Sequence, residues 1–336
     1  MREGGDEVAE MTRKSENDKI LLVWPERLGN YQFFREWFAL AWVETGGNVC
    51  AGVGVPMELR KIISWLGLVR QVFSSSPNKE RRLILCGGFP DYFIWPYSYG
   101  IEVVPLIWDA WPRYWGRLLR SIKRNRIRRM FCTSSQVAEM INENACGCHA
   151  TWVPEGINTL CYPAGKQLAE RTVDVLELGR VFQKYHEALL PCVGLKMISQ
   201  LFPMSDTVPL FTSFKDLVVG LGNSKITVCF PRCDTHPEMA GNIETLTQRY
   251  WECMLTRTII VGRAPQELIR VLGFNPVVEV DWENPARQLV SILENIGDYQ
   301  ERVDYYRSVA LEKGDWKDRM SVIRAAITNR MGNDNV

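Results

Sequence analysis

Two carboxylates set eight residues apart, Glu244 and Glu252, are the residue types and spacing in this chain that could do chemistry. On one helix that spacing puts them roughly 12 Å apart and within about 80° of the same side. This is too far for an acid and a base sharing one small substrate. It suits the two ends of an elongated polyol such as a nucleotide sugar, one carboxylate accepting hydrogen bonds from the sugar hydroxyls and the other from the ribose. The phosphates would then lie near the helix start, where Asn242, Thr245, Thr247 and unpaired backbone N–H groups offer donors. Solvated glutamates at this spacing are also common on surface helices, so spacing alone leaves both readings open. Upstream, Gly179, Arg180 and, four residues on, Lys184 follow an apolar run. A cation pair directly after a strand is what a diphosphate needs, since it neutralises the leaving nucleotide as a glycosidic bond breaks. Two cations at a helix start oppose its dipole, which favours a ligand role over decoration.

These residues need a scaffold, and 336 residues with 46% hydrophobic content allow two domains with real cores. A net charge of +1 gives no global pull toward nucleic acid or membrane, so any electrostatic function must be local. No run approaches the ~18 apolar residues of a membrane span, and the first 18 residues lack the apolar core of a signal peptide. Cys50, Cys86, Cys132 and Cys229 lie in apolar strand-like runs, where thiols behave as small hydrophobes, and a reducing cytoplasm is the simpler reading. Cys146, Cys148 and His149 lack the second ligand pair of a usual zinc site, so neither metal nor cofactor is expected.

Strand and helix alternate from residue 19, the pattern of parallel sheets covered on both faces. Apolar runs at 20–24, 48–53, 83–86, 102–108 and 130–133 predict one sheet, and runs at 173–178, 226–230, 258–261 and 277–280 a second. The expected organisation is a flexible segment over 1–18, a first domain over 19–158, a linker over 159–171, and a second domain over 172–330 that includes the terminal helices. Ile243, Leu246, Tyr250, Cys253 and Met254 fall on one face at helical spacing, which predicts a helix carrying both carboxylates. Ligands of such sheets bind at the carboxyl ends of the strands, so Gly29, Gly87, Gly88 and Asp109 point to one edge. Gly29 serves either close backbone approach to a ligand or simply a turn. Asp109 closes the strand VVPLIWD between Trp108 and Trp111. It reads either as a carboxylate walled by two indoles and facing a sugar, or as a helix N-cap.

Within 111–129, Arg113, Arg117, Arg120, Lys123, Arg124, Arg126, Arg128 and Arg129 occur with no acid among them. Trp111, Trp115, Leu118, Leu119 and Ile122 form an apolar stripe along the same helix. Such a helix lies on an anionic membrane surface, faces a phosphate-bearing acceptor, or covers its own domain. No nucleic-acid-binding motif accompanies the charge.

Glu244, seven residues, Glu252 and the following CMLTRTIIVG resemble the E-x7-E signature of retaining GT-B glycosyltransferases of family 4. Gly179-Arg180 with Lys184, His236-Pro237-Glu238 and the segment TWVPEGIN at 151–158 extend the resemblance over most of the chain. It implies an α/β, GT-B fold of two facing Rossmann-like domains, with Arg180 and Lys184 on the diphosphate, Glu244 on the donor sugar and Glu252 on the ribose. It also implies retention of configuration without a metal. Two departures stand out. Trp108 occupies the place of a family His, which leaves Asp109 as the acceptor-side candidate. Thr245, Leu246 and Thr247 follow Glu244 where the family carries a glycine, so this stretch takes the phosphate or sugar contacts. The implied protein is a cytoplasmic enzyme, peripheral on the inner membrane face, moving sugar from a nucleotide-diphosphate donor to a saccharide or lipid-linked acceptor. The alternative is a binding or scaffold protein that keeps the shape without catalysis.

Overall fold

The computed structural model describes residues 20–24, 33–66, 80–98, 101–179, 181–194, 197–203 and 210–328. The expectations for 1–18, Gly29 and Arg180 lie outside the described residues. The chain divides into two compact units, one running to Pro154 and resuming at Trp316, the other Glu155–Asp315.

The first unit alternates β1 (Ile20–Val23), α1 (Phe33–Glu44), β2 (Asn48–Cys50), α2 (Met57–Trp65), β3 (Arg81–Gly87), β4 (Glu102–Trp108), α3 (Trp115–Asn125), β5 (Arg129–Cys132), α4 (Ser135–Asn144) and β6 (His149–Trp152). Its strands pair in parallel in the order β2-β1-β3-β4-β5-β6. All seven residues of β4 are buried, as expected of a central parallel strand covered on both faces. Right-handed crossovers place α1 on one face of this sheet and α2, α3 and α4 on the other.

In the second unit the elements are β7 (Val173–Glu177), α5 (Gln183–Gly194), β8 (Gln200–Leu201), α6 (Phe214–Gly222), β9 (Ser224–Cys229), α7 (Gln248–Leu255), β10 (Ile259–Gly262), α8 (Gln266–Leu272), β11 (Val277–Glu279), α9 (Pro285–Glu294) and α10 (Gln300–Lys313). The parallel order is β11-β10-β9-β7-β8. The strand order reverses between β7 and β9, and ligands of such sheets bind beyond the carboxyl ends of the strands at that point.

The domain boundaries differ from those expected. Residues 159–171 are not a free linker: Tyr162 and Leu168 are buried in the second unit, and Thr159 Oγ1 donates to Asp315 at 2.8 Å. Arg171, buried, donates to the carbonyls of Lys166 (2.9 Å from Nε and 2.8 Å from Nη2), Ser224 (2.7 Å) and Thr256 (2.9 Å). Burial and the nearby Arg257 pull its guanidinium down to about 10. Removing it strands several buried carbonyls, so Arg171→Met is expected to cost ~3–5 kcal/mol. A lowered urea midpoint at unchanged slope would report that loss.

The last helix, α11 (Lys317–Thr328), belongs to the first unit rather than the second. Trp316, Met320, Ile323 and Ile327 recur at helical spacing and are all buried, with Trp316 against Phe38 (5.2 Å) and Trp108 (6.0 Å). Arg324 lies over the Trp42 ring at 4.7 Å, and Arg81 and Arg129 donate to the Ile327 carbonyl at 2.9 and 2.7 Å. Cations at the carboxyl end of a helix satisfy its last carbonyls and suit its dipole.

Of the three readings of the basic helix α3, burial of its stripe agrees with the one in which it covers its own domain. Leu118, Ile122 and the preceding Trp111 are buried in the core of the first unit, so the apolar stripe is not available to a membrane. Its outward face is left almost wholly cationic. Among the described residues, no helix is long and apolar enough to cross a membrane.

Candidate functional site

The two glutamates do not share a helix. Glu244 lies in the stretch 241–247, before α7 begins at Gln248, whereas Glu252 is on α7 itself. The apolar residues that suggested one continuous helix, Ile243 and Leu246, are buried from an irregular segment instead. Leu246 N–H donates to the buried Glu267 carboxylate at 2.8 Å, which ties this loop to α8. The Leu246 side chain is therefore core, while Thr245 and Thr247 stay half-buried on either side of it.

Glu244 sits on the long loop after β9. Its Oε2 accepts the N–H of Gln266, the first residue of α8, at 3.1 Å, where a helix dipole favours a carboxylate. Its Oε1 accepts from Arg263 Nη1. Arg263 is also gripped by both oxygens of Asp234, at 2.6 and 2.7 Å. Asp234, and then Glu244, hold the Arg263 proton well above its ordinary range. The three side chains carry a net charge of −1, and Glu244 keeps 22% of its side chain exposed, enough to meet a ligand.

Glu252 is enclosed. The Tyr162 hydroxyl donates to its Oε1 at 2.9 Å, and Arg249 Nη1 lies 2.6 Å from its Oε2 as an ion pair. Burial and this carboxylate together push the Tyr162 hydroxyl pKa far up, so it remains a donor. Arg249 also borders the loop after β7: a Cβ on Gly179 would stand 4.0 Å from its Nη2. Gly179 has φ of 79°, left-handed backbone that glycine adopts without strain. The loop after β7, carrying Gly179, thus meets the first turn of α7, which follows the loop carrying Glu244.

Lys184, on the first turn of α5, is exposed, with Nζ over the Trp282 ring at 4.4 Å. Phe182, Phe230 and Trp282 come from the segments after β7, β9 and β11 and pack edge-on or tilted at 4.8 to 6.1 Å. At the end of β7, buried Glu177 is 3.1 Å from His186 Nδ1 and accepts from Gln200 Nε2 at 2.5 Å. Burial pushes its carboxyl up against the pull of both partners. Sequence reasoning missed Asp234, Arg249, Arg263 and Trp282. Only Trp282, an exposed aromatic after an apolar run, left a trace that could have been read.

In the first unit, Asp109 is exposed at the end of β4 with φ of 54°. It caps no helix: the turn over Pro112–Tyr114 is preceded by Trp111. The indoles of Trp108 and Trp111 on either side of it in sequence are both buried. A left-handed aspartate at the carboxyl end of a central parallel strand is an outlier of the kind that collects at functional sites. Among the described residues, no group of three or more His, Cys, Asp or Glu side chains is placed to hold a metal, and the ten cysteines are free thiols.

Comparisons with protein families and with curated proteins find no match to this chain. Solved structures do match. TarM is similar with a TM-score of 0.52 and 13% identity, over 81% of this chain and 57% of that one. HepE from Anabaena, in complex with UDP and glucose, is similar at 0.55 and 10% identity, over 92% of this chain and 98% of that one. Sucrose-phosphate synthase from Thermosynechococcus elongatus is similar at 0.59 and 10% identity, again over 92% and 98%. The chain spans little more than half the length of TarM and nearly all of the other two. These likenesses show the fold: an α/β protein with two Rossmann-like units and parallel sheets, the GT-B architecture of nucleotide-sugar glycosyltransferases.

Proposed function

We propose that the protein transfers a sugar from a nucleotide-diphosphate donor to an acceptor hydroxyl, with retention of configuration. The observation that carries this reading is the reachable Glu244 carboxylate, fixed by Arg263 and the α8 N-terminus on one of the two loops that flank the strand reversal. Gly179, Arg180 and Lys184 take the diphosphate, Thr245 and Thr247 offer hydroxyls to phosphate or sugar, and Glu244 accepts hydrogen bonds from the donor sugar. Glu252 takes the ribose by exchanging its contact with Arg249 or Tyr162. The departing phosphate oxygen removes the acceptor proton while the new C–O bond forms on the face that the leaving group vacates, its charge held by Arg180 and Lys184. Asp109 serves the acceptor side, and Gly29 lets backbone approach the donor's phosphate or sugar. A saccharide carried on a lipid, of the kind used in surface polysaccharide assembly, suits the cationic outer face of α3 as acceptor. HepE's complex with UDP and glucose makes uridine nucleotides the first donors to try.

The test is transfer from UDP-sugars to lipid-linked and soluble saccharides, with the product's anomeric configuration read by NMR. A product of the donor's own configuration is expected, and an inverted one would refute retention. A second reading, a nucleotide-sugar-binding protein without catalysis, draws on the protein partners that already occupy both signature carboxylates. Tight donor binding with neither transfer nor slow hydrolysis would establish it.

A further inference from the structure

Helix α2 is amphipathic the wrong way round. Its inward face is polar: Arg60 and Ser64, four residues apart, are both buried. Arg60 earns its burial by donating to the carbonyls of Val53 (2.9 Å), Val55 (3.1 Å) and Tyr92 (3.0 Å). Its outward face is apolar, with Leu59 43% exposed, Ile62 53%, Leu66 53% and Trp65 82%. A protruding indole flanked by three aliphatic side chains is not what a solvated helix shows to water.

Charge beside the ridge identifies what covers it. α2 and α3 lie on the same face of the first sheet, and Arg124 of α3 joins them by donating to Ser64 Oγ at 2.9 Å, one residue from Trp65. Arg124 also pairs with Asp91 at 3.2 Å. Arg120, Lys123, Arg126 and Arg128 are exposed along and just beyond α3, which contains no acid. On α2 itself Glu58 is matched by Lys61 at 2.8 Å. An apolar ridge bearing an exposed tryptophan, bordered by exposed cations, has the chemistry of a surface that sinks into the headgroup region of an anionic bilayer.

We infer that the outer face of α2, with the cations of α3 beside it, docks the first unit on anionic lipid. The inference is independent of the sugar-transfer reading and moves the apolar part of the contact off α3, whose own stripe is in the core.

Flotation of the whole protein with vesicles of phosphatidylcholine, alone or with about 30% phosphatidylglycerol, tests it at ~50 and ~500 mM salt. Wild type is expected to float with the anionic vesicles at low salt and less at high salt. Trp65→Ser with Ile62→Ser should keep the melting temperature and UDP binding yet lose at least about tenfold in partition. Arg120→Glu with Lys123→Glu should lose the preference for phosphatidylglycerol. No flotation of the wild type at low salt overturns the inference. So does equal flotation of the ridge variant, which would mean that residues 67–79 or a second copy cover the ridge. UDP binding measured on the same samples separates this failure from failure of the donor site.

Discussion

Glu244→Ala is expected to lower kcat/KM for sugar transfer by about 10²–10³-fold or more while the protein stays folded. The substitution removes the carboxylate offered to the sugar hydroxyls and leaves Arg263 paired with Asp234 alone, so the net charge of the cluster changes from −1 to zero. Folding should survive, because Glu244 is partly exposed and its loop remains anchored by Ile243, Leu246 and the bond from Leu246 N–H to Glu267. Glu244→Gln separates charge from geometry: an amide can still accept from the Gln266 N–H but offers the sugar no anion. Initial rates at saturating donor, beside thermal melts, read both quantities. Rates near wild type in the alanine variant would remove Glu244 from the site.

Gly262→Ala is the substitution expected to damage the structure most. Gly262 ends β10 with φ of 147°, and a Cβ there would lie 1.9 Å from the Cys229 carbonyl oxygen and 2.7 Å from its carbon. Those are backbone atoms of the neighbouring strand, registered with Gly262 in the β9–β10 ladder. Rotating a side chain cannot relieve the clash, so the two central strands must part where Arg263 leaves for Glu244. A loss of at least ~3–4 kcal/mol, or failure to fold, is expected. Gly54→Ala serves as the control, since a Cβ there meets nothing within 4 Å. Urea unfolding of the two variants checks the difference, and near-equal midpoints would contradict the account of the ladder.

Apolar runs alternating with helical stretches made both parallel sheets legible in the sequence, because strands covered on both faces must be continuously apolar. The two-residue strand β8 is too short to leave such a signal. Apolar spacing alone could not place the start of α7. Ile243 and Leu246 are buried as helical spacing demands, yet the segment is not helical, and the Leu246 N–H is taken by Glu267, a partner twenty-one residues on. The guanidinium that binds Glu244 was invisible for the same reason: Arg263 reads as an ordinary residue after a strand until the fold sets it between Asp234 and Glu244. Likewise, the stripe of α3 showed that one face must be covered without showing by what. The terminal helix looked like part of the second domain because it follows it in sequence. Packing of Trp316, Ile323 and Ile327 on the first sheet decides otherwise.

Nucleotide binding tests the central claim most directly. Thermal melts of the purified protein would be recorded with UDP, GDP, ADP, TDP and CMP and their sugar conjugates, for wild type, Lys184→Ala and Arg180→Ala. A ligand that binds only the folded state adds about 2.7 kcal/mol at a hundred times its dissociation constant. The account predicts such a shift with one nucleotide family, and its loss or strong reduction in both variants. Melts unmoved by every nucleotide, or a shift that both variants retain in full, would contradict a donor site at the β7–β9 reversal.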